Sequence, residues 1–134
     1  MFYFEYPIAD TTIYEGTVSS SINTGLDEIL EVQKKVNDAG TEVDVSRILI
    51  KSSYSYISKS IQDGIIPSGA KYYLNLYDAS STELAVSQTL NAYIVSQSWD
   101  NGTGTFLRDP VLSDGASWKY RDNDTTKTEW VSGS

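Results

Sequence analysis

The chain has 134 residues, 40% of them hydrophobic, with ten Tyr, three Trp, no His and no Cys. Its 18 acids outnumber its 10 bases, for a formal net charge of −8 at pH 7. Without Cys there is no disulfide framework, thiol nucleophile or thiolate metal site. Without His there is no Ser-His-Asp triad, imidazole base or imidazole zinc site.

The length fits one domain or part of one. A chain of this size can bury roughly two-thirds of its surface, and the aromatic content argues against disorder. Nine of the acids but two of the bases fall in residues 1–44. Such a surface repels nucleic-acid phosphates and disfavours anionic membranes, so neither is an expected partner. The N-terminus, Met-Phe-Tyr-Phe-Glu-Tyr-Pro, lacks a basic start and is soon interrupted by Glu5, Pro7 and Asp10. It does not read as a signal peptide, and no run approaches the length of a membrane span. The expectation is a soluble chain.

Along the chain, Thr11 to Tyr14 is β-branched and aromatic and predicts a first strand. Residues 17–25 are rich in Ser, Thr, Asn and Gly and predict a loop. The apolar run from Glu28 to Val32 predicts a short strand, and Asn37-Asp38-Ala39-Gly40 a turn. The stretch from Val43 to Lys51, apolar on both parities at Ile48-Leu49-Ile50, predicts a central strand. Tyr54, Ile57 and Ile61 fall at helical spacing, and Gly64 closes a helix near 54–63.

After the turn at Pro67-Ser68-Gly69, Ala70 to Tyr77 alternates cleanly and predicts a half-buried strand. Asp78 to Thr82 reads as a turn, and Leu84 to Gln97 as mostly strand. From about residue 100 the chain is loop-rich. Asp100-Asn101-Gly102-Thr103-Gly104-Thr105, Asp109-Pro110, Asp114-Gly115 and Asp122 to Thr126 are turn chemistry around a strand-like island at Trp118-Lys119-Tyr120. Short strands separated by turns, with one helix, predict an all-β, antiparallel sandwich or jelly roll, formed over 1–134 as a single domain or as the N-terminal part of one that is incomplete at its C-terminus.

Little in this pattern carries catalysis. The glycine-rich loop lacks the Lys-Ser/Thr of a phosphate loop and opens no helix. No Gly-x-Ser-x-Gly elbow is present, and the spacing selects no carboxylate pair for glycoside hydrolysis. Asp122 and Asp124 are alternate carboxylates in a turn, which suits calcium, although Asp and Asn are also ordinary turn residues. Trp99, Trp118 and Tyr120 could stack on a sugar ring or serve as core and interface aromatics. Phe2, Tyr3, Phe4 and Tyr6 are too apolar for a free terminus and are candidates for an interface or for the protein's own core.

One ordered set carries a resemblance. It runs Asn23-x-Gly25, the run at Glu28–Val32, Ser46-Arg47-x-Leu49-Ile50 and Ile66-Pro67-Ser68-Gly69-Ala70. It continues with Tyr73-Leu74-Asn75-Leu76-Tyr77, then Trp99-Asp100-Asn101-Gly102-Thr103-Gly104, Asp114-Gly115-Ala116-Ser117-Trp118 and Thr128-Glu129-Trp130. This resembles a DNRLRE-type β-sandwich domain, a jelly roll of surface and carbohydrate-associated proteins. It is more similar still to virion structural proteins of tailed marine phages. Ser52 stands where that pattern usually has Phe, and the family domain continues past the segment resembling Thr128–Gly133.

The resemblance implies a non-enzymatic virion protein without a cofactor, either a capsid decoration or a neck or tail-fibre module. It would be part of a larger assembly with other virion proteins, and its sheet would be completed by a longer chain or by a neighbour. The alternative is a carbohydrate-binding module for host-surface glycan using Trp99, Trp118 and Tyr120, with calcium at Asp122 and Asp124.

Overall fold

The computed structural model describes residues 2–77, 79, 89–108, 113–124 and 126–131. The described elements are antiparallel strands and one short helix. The chain divides into two compact units, Met1–Glu5 with Ser53–Ile94, and Tyr6–Ser52 with Val95–Ser134.

The second unit holds the sheets. Strand β1 (Ala9–Tyr14) and strand β2 (Lys34–Val36) both pair antiparallel with β3 (Glu42–Lys51), in the order β1-β3-β2. The central place expected for β3 is therefore observed. Its register sets Thr11 opposite Leu49 and Ile13 opposite Arg47. The β2–β3 hairpin turns where Asn and Gly predicted it. The Asn37 side chain accepts from the amides of Ala39 (3.1 Å) and Thr41 (2.9 Å), and Gly40 takes the left-handed φ of 73° that the turn requires. A second ribbon pairs β4 (Tyr120–Asp122) with β5 (Thr128–Glu129). The core beside the three-stranded sheet is Ile13, Leu49, Trp99 and Ala116, flanked by Ala9, Trp118 and Trp130.

Three expectations are corrected. Glu28 to Val32 is not a strand; pairing with β3 begins at Lys34. The reason lies in where the backbone groups go. The Glu31 amide donates to Thr12 Oγ1 (3.0 Å), and its carbonyl accepts from Ser46 Oγ (2.6 Å), so side chains replace a strand ladder. Ala70 to Tyr77 forms no strand, and its apolar side chains are exposed on both parities. Alternation makes a sheet only when a second strand satisfies the backbone, and none pairs here among the described residues. Residues 89–96 are likewise not strand, while 84–88, the Asp109-Pro110 turn and nearly all of the Asp78–Thr82 turn lie outside the described residues.

The helix of the first unit, α1 (Tyr54–Gln62), forms as predicted. Ser53 supplies the extended N-cap backbone, Lys59 pairs with Asp63 across one turn (2.8 Å), and Gly64 ends the helix at φ 71°. Its expected apolar face is not covered. Tyr54 is exposed, Ile61 is 37% exposed and Ile57 half-buried, and the fully buried helical residue is Ser60. Among the described residues of this unit, Ser60 and Ile66 alone are buried.

Candidate functional site

Five places carry chemistry: a junction around Asn23, the tryptophans beside β3, a cleft at Trp99, a groove at Tyr14, and the exposed aromatic surface. The junction is structural. The fully buried Asn23 side chain donates to the carbonyls of Asn101 (2.8 Å) and Ala116 (3.0 Å). Its oxygen accepts from the amides of Gly25 (3.2 Å) and Gly104 (2.8 Å). Asn101 returns a bond from its side-chain amide to Gly25 O (2.6 Å). A Cβ on Gly102 would strike the Asn23 side chain, and one on Gly115 would strike the Gly102 backbone, so glycine is required for this approach. Three motifs of the ordered set, at 23–25, 99–104 and 114–118, thus meet at one point. The loop amides of Thr103 and Gly104 are spent on Asp114 and Asn23.

Trp99 is 6% exposed and sits in the core with Ile13 and Leu49, so it presents no open face to a sugar. Lys51 Nζ lies 5.0 Å from the Trp99 ring and donates to the Trp99 carbonyl (2.7 Å). The Arg47 guanidinium covers the half-buried Trp118 ring at 4.5 Å, the position a sugar would occupy. Trp130 donates its indole N–H to Ser117 O (2.8 Å). Tyr120 is half-buried, with Lys119 and Lys127 ammoniums 5.2 and 5.6 Å from its ring. The two strand cations that cover the tryptophans were legible as alternate positions of β3, but nothing in the sequence said which aromatic each would reach.

An open cleft of about 260 Å³ is lined by Ser98, Trp99, Asp100, Arg121 and Asp122. Arg121 is held in it by two bonds to Ser98, each 2.8 Å. Asp122 accepts from the Asp124 amide (3.1 Å), a local turn bond. Among the described residues no three His, Cys, Asp or Glu side chains gather as a metal site would require.

A second groove, about 300 Å³, lies over Tyr14, Ile29, Glu31 and Phe106. The Tyr14 hydroxyl donates to Glu31 Oε2 (2.8 Å), and its ring meets Phe106 at 4.8 Å. Burial, then the Glu31 carboxylate, push the Tyr14 phenol well above the usual tyrosine range. In the unfolded chain this phenol ionises near pH 10. Above that pH the unfolded state sheds a proton that the folded state keeps. The stability contributed by Tyr14 is therefore complete below about pH 10 and falls as pH rises beyond it, by at most about 1.4 kcal/mol per pH unit. Urea unfolding at alkaline pH is expected to show this loss in the wild-type chain. Tyr14→Phe should lose about 1 kcal/mol at neutral pH and show a shallower alkaline decline.

The largest feature is apolar surface. Phe2 is 88% and Tyr6 83% exposed, with Tyr3 and Phe4 also exposed. Of the two readings open for this segment, packing in the chain's own core is not what the structure shows. Phe2 and Phe4 stand 6.4 Å apart, and Tyr3 receives a bond from Ser60 Oγ (3.3 Å). Within the first unit, Tyr56, Tyr72, Tyr73, Leu74, Tyr77 and Tyr93 are all exposed. No helix among the described residues is long and apolar enough to cross a membrane. Comparison of the chain with protein-family models, curated proteins and solved structures gives no match to any of them.

Proposed function

We propose that this chain is a non-enzymatic structural module of a bacteriophage virion, a capsid decoration or a neck or tail-fibre component. It works by packing apolar surface against neighbouring virion proteins. The observation that carries the packing reading is the first unit, where among the described residues Ser60 and Ile66 are the buried ones while the aromatics face solvent. A domain normally closes a core of its own, and large contiguous apolar surface marks an interaction site. The virion assignment rests on the ordered resemblance, and so does completion of the described sheets into a sandwich or jelly roll. Open strand edges are a liability that a neighbour's strand removes.

Intact mass measurement of purified source particles tests the location: the chain, alone or within a longer protein, is expected among their components. Its absence from every particle overturns the virion reading. Replacing Phe2, Phe4 and Tyr6 by Ser tests the surface. Each change should cost no more than about 0.5 kcal/mol of stability, because the side chains are exposed. Incorporation into the particle should nevertheless fall. Undiminished incorporation would remove this segment from the interface.

A further inference from the structure

We infer that the segment Ala70–Tyr77 is a strand that forms between two copies of this chain, pairing antiparallel with itself about Leu74. This inference rests on the packing reading and names the partner. The segment is dense in strand-forming residues, with Tyr72, Leu74 and Leu76 on one parity, yet Tyr72, Tyr73, Leu74, Leu76 and Tyr77 are all exposed and no described strand pairs with it.

Three observations favour a second copy over an unrelated protein. The first is self-complementarity. With Leu74 opposite Leu74, Tyr72 meets Leu76, Tyr73 meets Asn75, and Lys71 meets Tyr77. The first face pairs aromatic with aliphatic side chains, and the second sets an ammonium against a ring, both favourable cross-strand neighbours. A two-fold interface requires such a self-matching patch.

The second is charge. The whole chain carries −8, so two copies repel, but residues 65–77 hold one ionisable charge, Lys71, and the register keeps the two lysines apart. Association there meets the least repulsion. The third is area. At typical ring sizes these five side chains expose on the order of 600 Å². A stable dimer buries roughly 800 Å² per partner, so the segment carries most of the area required, and Tyr56 and Tyr93 of the same unit are exposed as well.

Because the chain has no Cys, a single introduced thiol can form a disulfide with another copy only. In oxidised full-length chain, Leu74→Cys is expected to give a covalent dimer of twice the 14.8 kDa mass. Lys71→Cys alone should not, whereas Lys71→Cys mixed with Tyr77→Cys should. Without cross-linking, sedimentation should show a dimer, weakened at least about tenfold by Leu74→Lys with circular dichroism unchanged. Tyr73→Ser, which keeps the register, provides a second readout if Leu74→Lys misfolds, and should weaken the dimer less.

A dimer that neither cross-links at position 74 nor responds to Leu74→Lys overturns the pairing and leaves the packing reading standing. A monomer with fast amide exchange over 70–77 also overturns it, and points the open surface at a different virion protein. A monomer with those amides protected means that the segment pairs within its own chain, which overturns both readings.

Discussion

Asn23→Ala is expected to lower the free energy of unfolding by roughly 3–5 kcal/mol, the sum of several lost buried bonds. The side chain is fully buried and uses both its atoms twice, on Gly25, Gly104, Asn101 and Ala116. Truncation leaves two amides and two carbonyls without the partner they have here. Asn23→Asp sharpens the test. It keeps an acceptor for the two glycine amides but turns a second oxygen toward the carbonyls of Asn101 and Ala116. It should therefore be at least as damaging as Ala, although its shape is nearly the same. Urea unfolding of the three chains gives the comparison. A loss below about 1 kcal/mol for Asn23→Ala would mean that the loops at 101–104 and 114–116 hold without it. Gly115→Ala should be costly for a related reason. Its φ of 57° is strained for a residue with a Cβ, and the added carbon meets Gly102 and Asn23.

Where the sequence was legible, the signal was local and its partners were near. Thr11 to Tyr14 and the run to Lys51 are dense in β-branched residues, and the Asn37–Gly40 turn between β2 and β3 follows from side-chain chemistry that needs no distant group. The helix is legible for the same reason, since Gly64 closes it and the 3.6-residue period of Tyr54, Ile57 and Ile61 lies inside it. Misreadings occurred where a backbone group chose among distant partners. Glu31 could have joined a ladder, but Thr12 and Ser46 offered hydroxyls first. Ala70 to Tyr77 has the right alternation, but a strand is a property of a pair, and the sequence of one segment does not supply the other.

The candidate site divides along the same line. Buried and half-buried tryptophans have the same local sequence texture: Trp99 and Trp118 both adjoin turn residues, and their difference arises from Leu49, Ile13 and Arg47, which lie fifty residues or more away. Asn23 is a further case. A lone Asn in a Ser- and Thr-rich loop reads as turn chemistry. It becomes a central junction only when glycines at 102, 104 and 115 allow two distant loops to approach it. The N-terminal aromatics were read as apolar surplus, and their exposure turns that surplus into surface rather than core.

Trp99→Ala should cost about 3–5 kcal/mol, a large share of the 5–15 kcal/mol available to a domain of this size. The indole packs with Ile13, Leu49 and Ala116, and in a close-packed interior its removal leaves a cavity on top of the lost burial. Its removal also strips Lys51 of the ring beneath its ammonium, although the bond from Lys51 to the backbone carbonyl of residue 99 can persist. Trp99→Phe should lose less, because a ring still fills most of the cavity. Trp118→Ala should cost about 1–2 kcal/mol, since that ring is half-buried, flanking the core on one side and covered by the exposed Arg47 side chain. Urea midpoints for the three variants give this order, and acrylamide quenching of the remaining tryptophans reports whether the core has opened. The same experiment separates a core aromatic from a glycan platform. A platform residue can be truncated with little change in stability and a large loss of sugar binding. A Trp99→Ala chain with an unchanged urea midpoint would therefore overturn the core assignment and return Trp99 to the carbohydrate-binding alternative. The expected large loss of stability instead keeps Trp99 in the core and removes it from the carbohydrate-binding alternative.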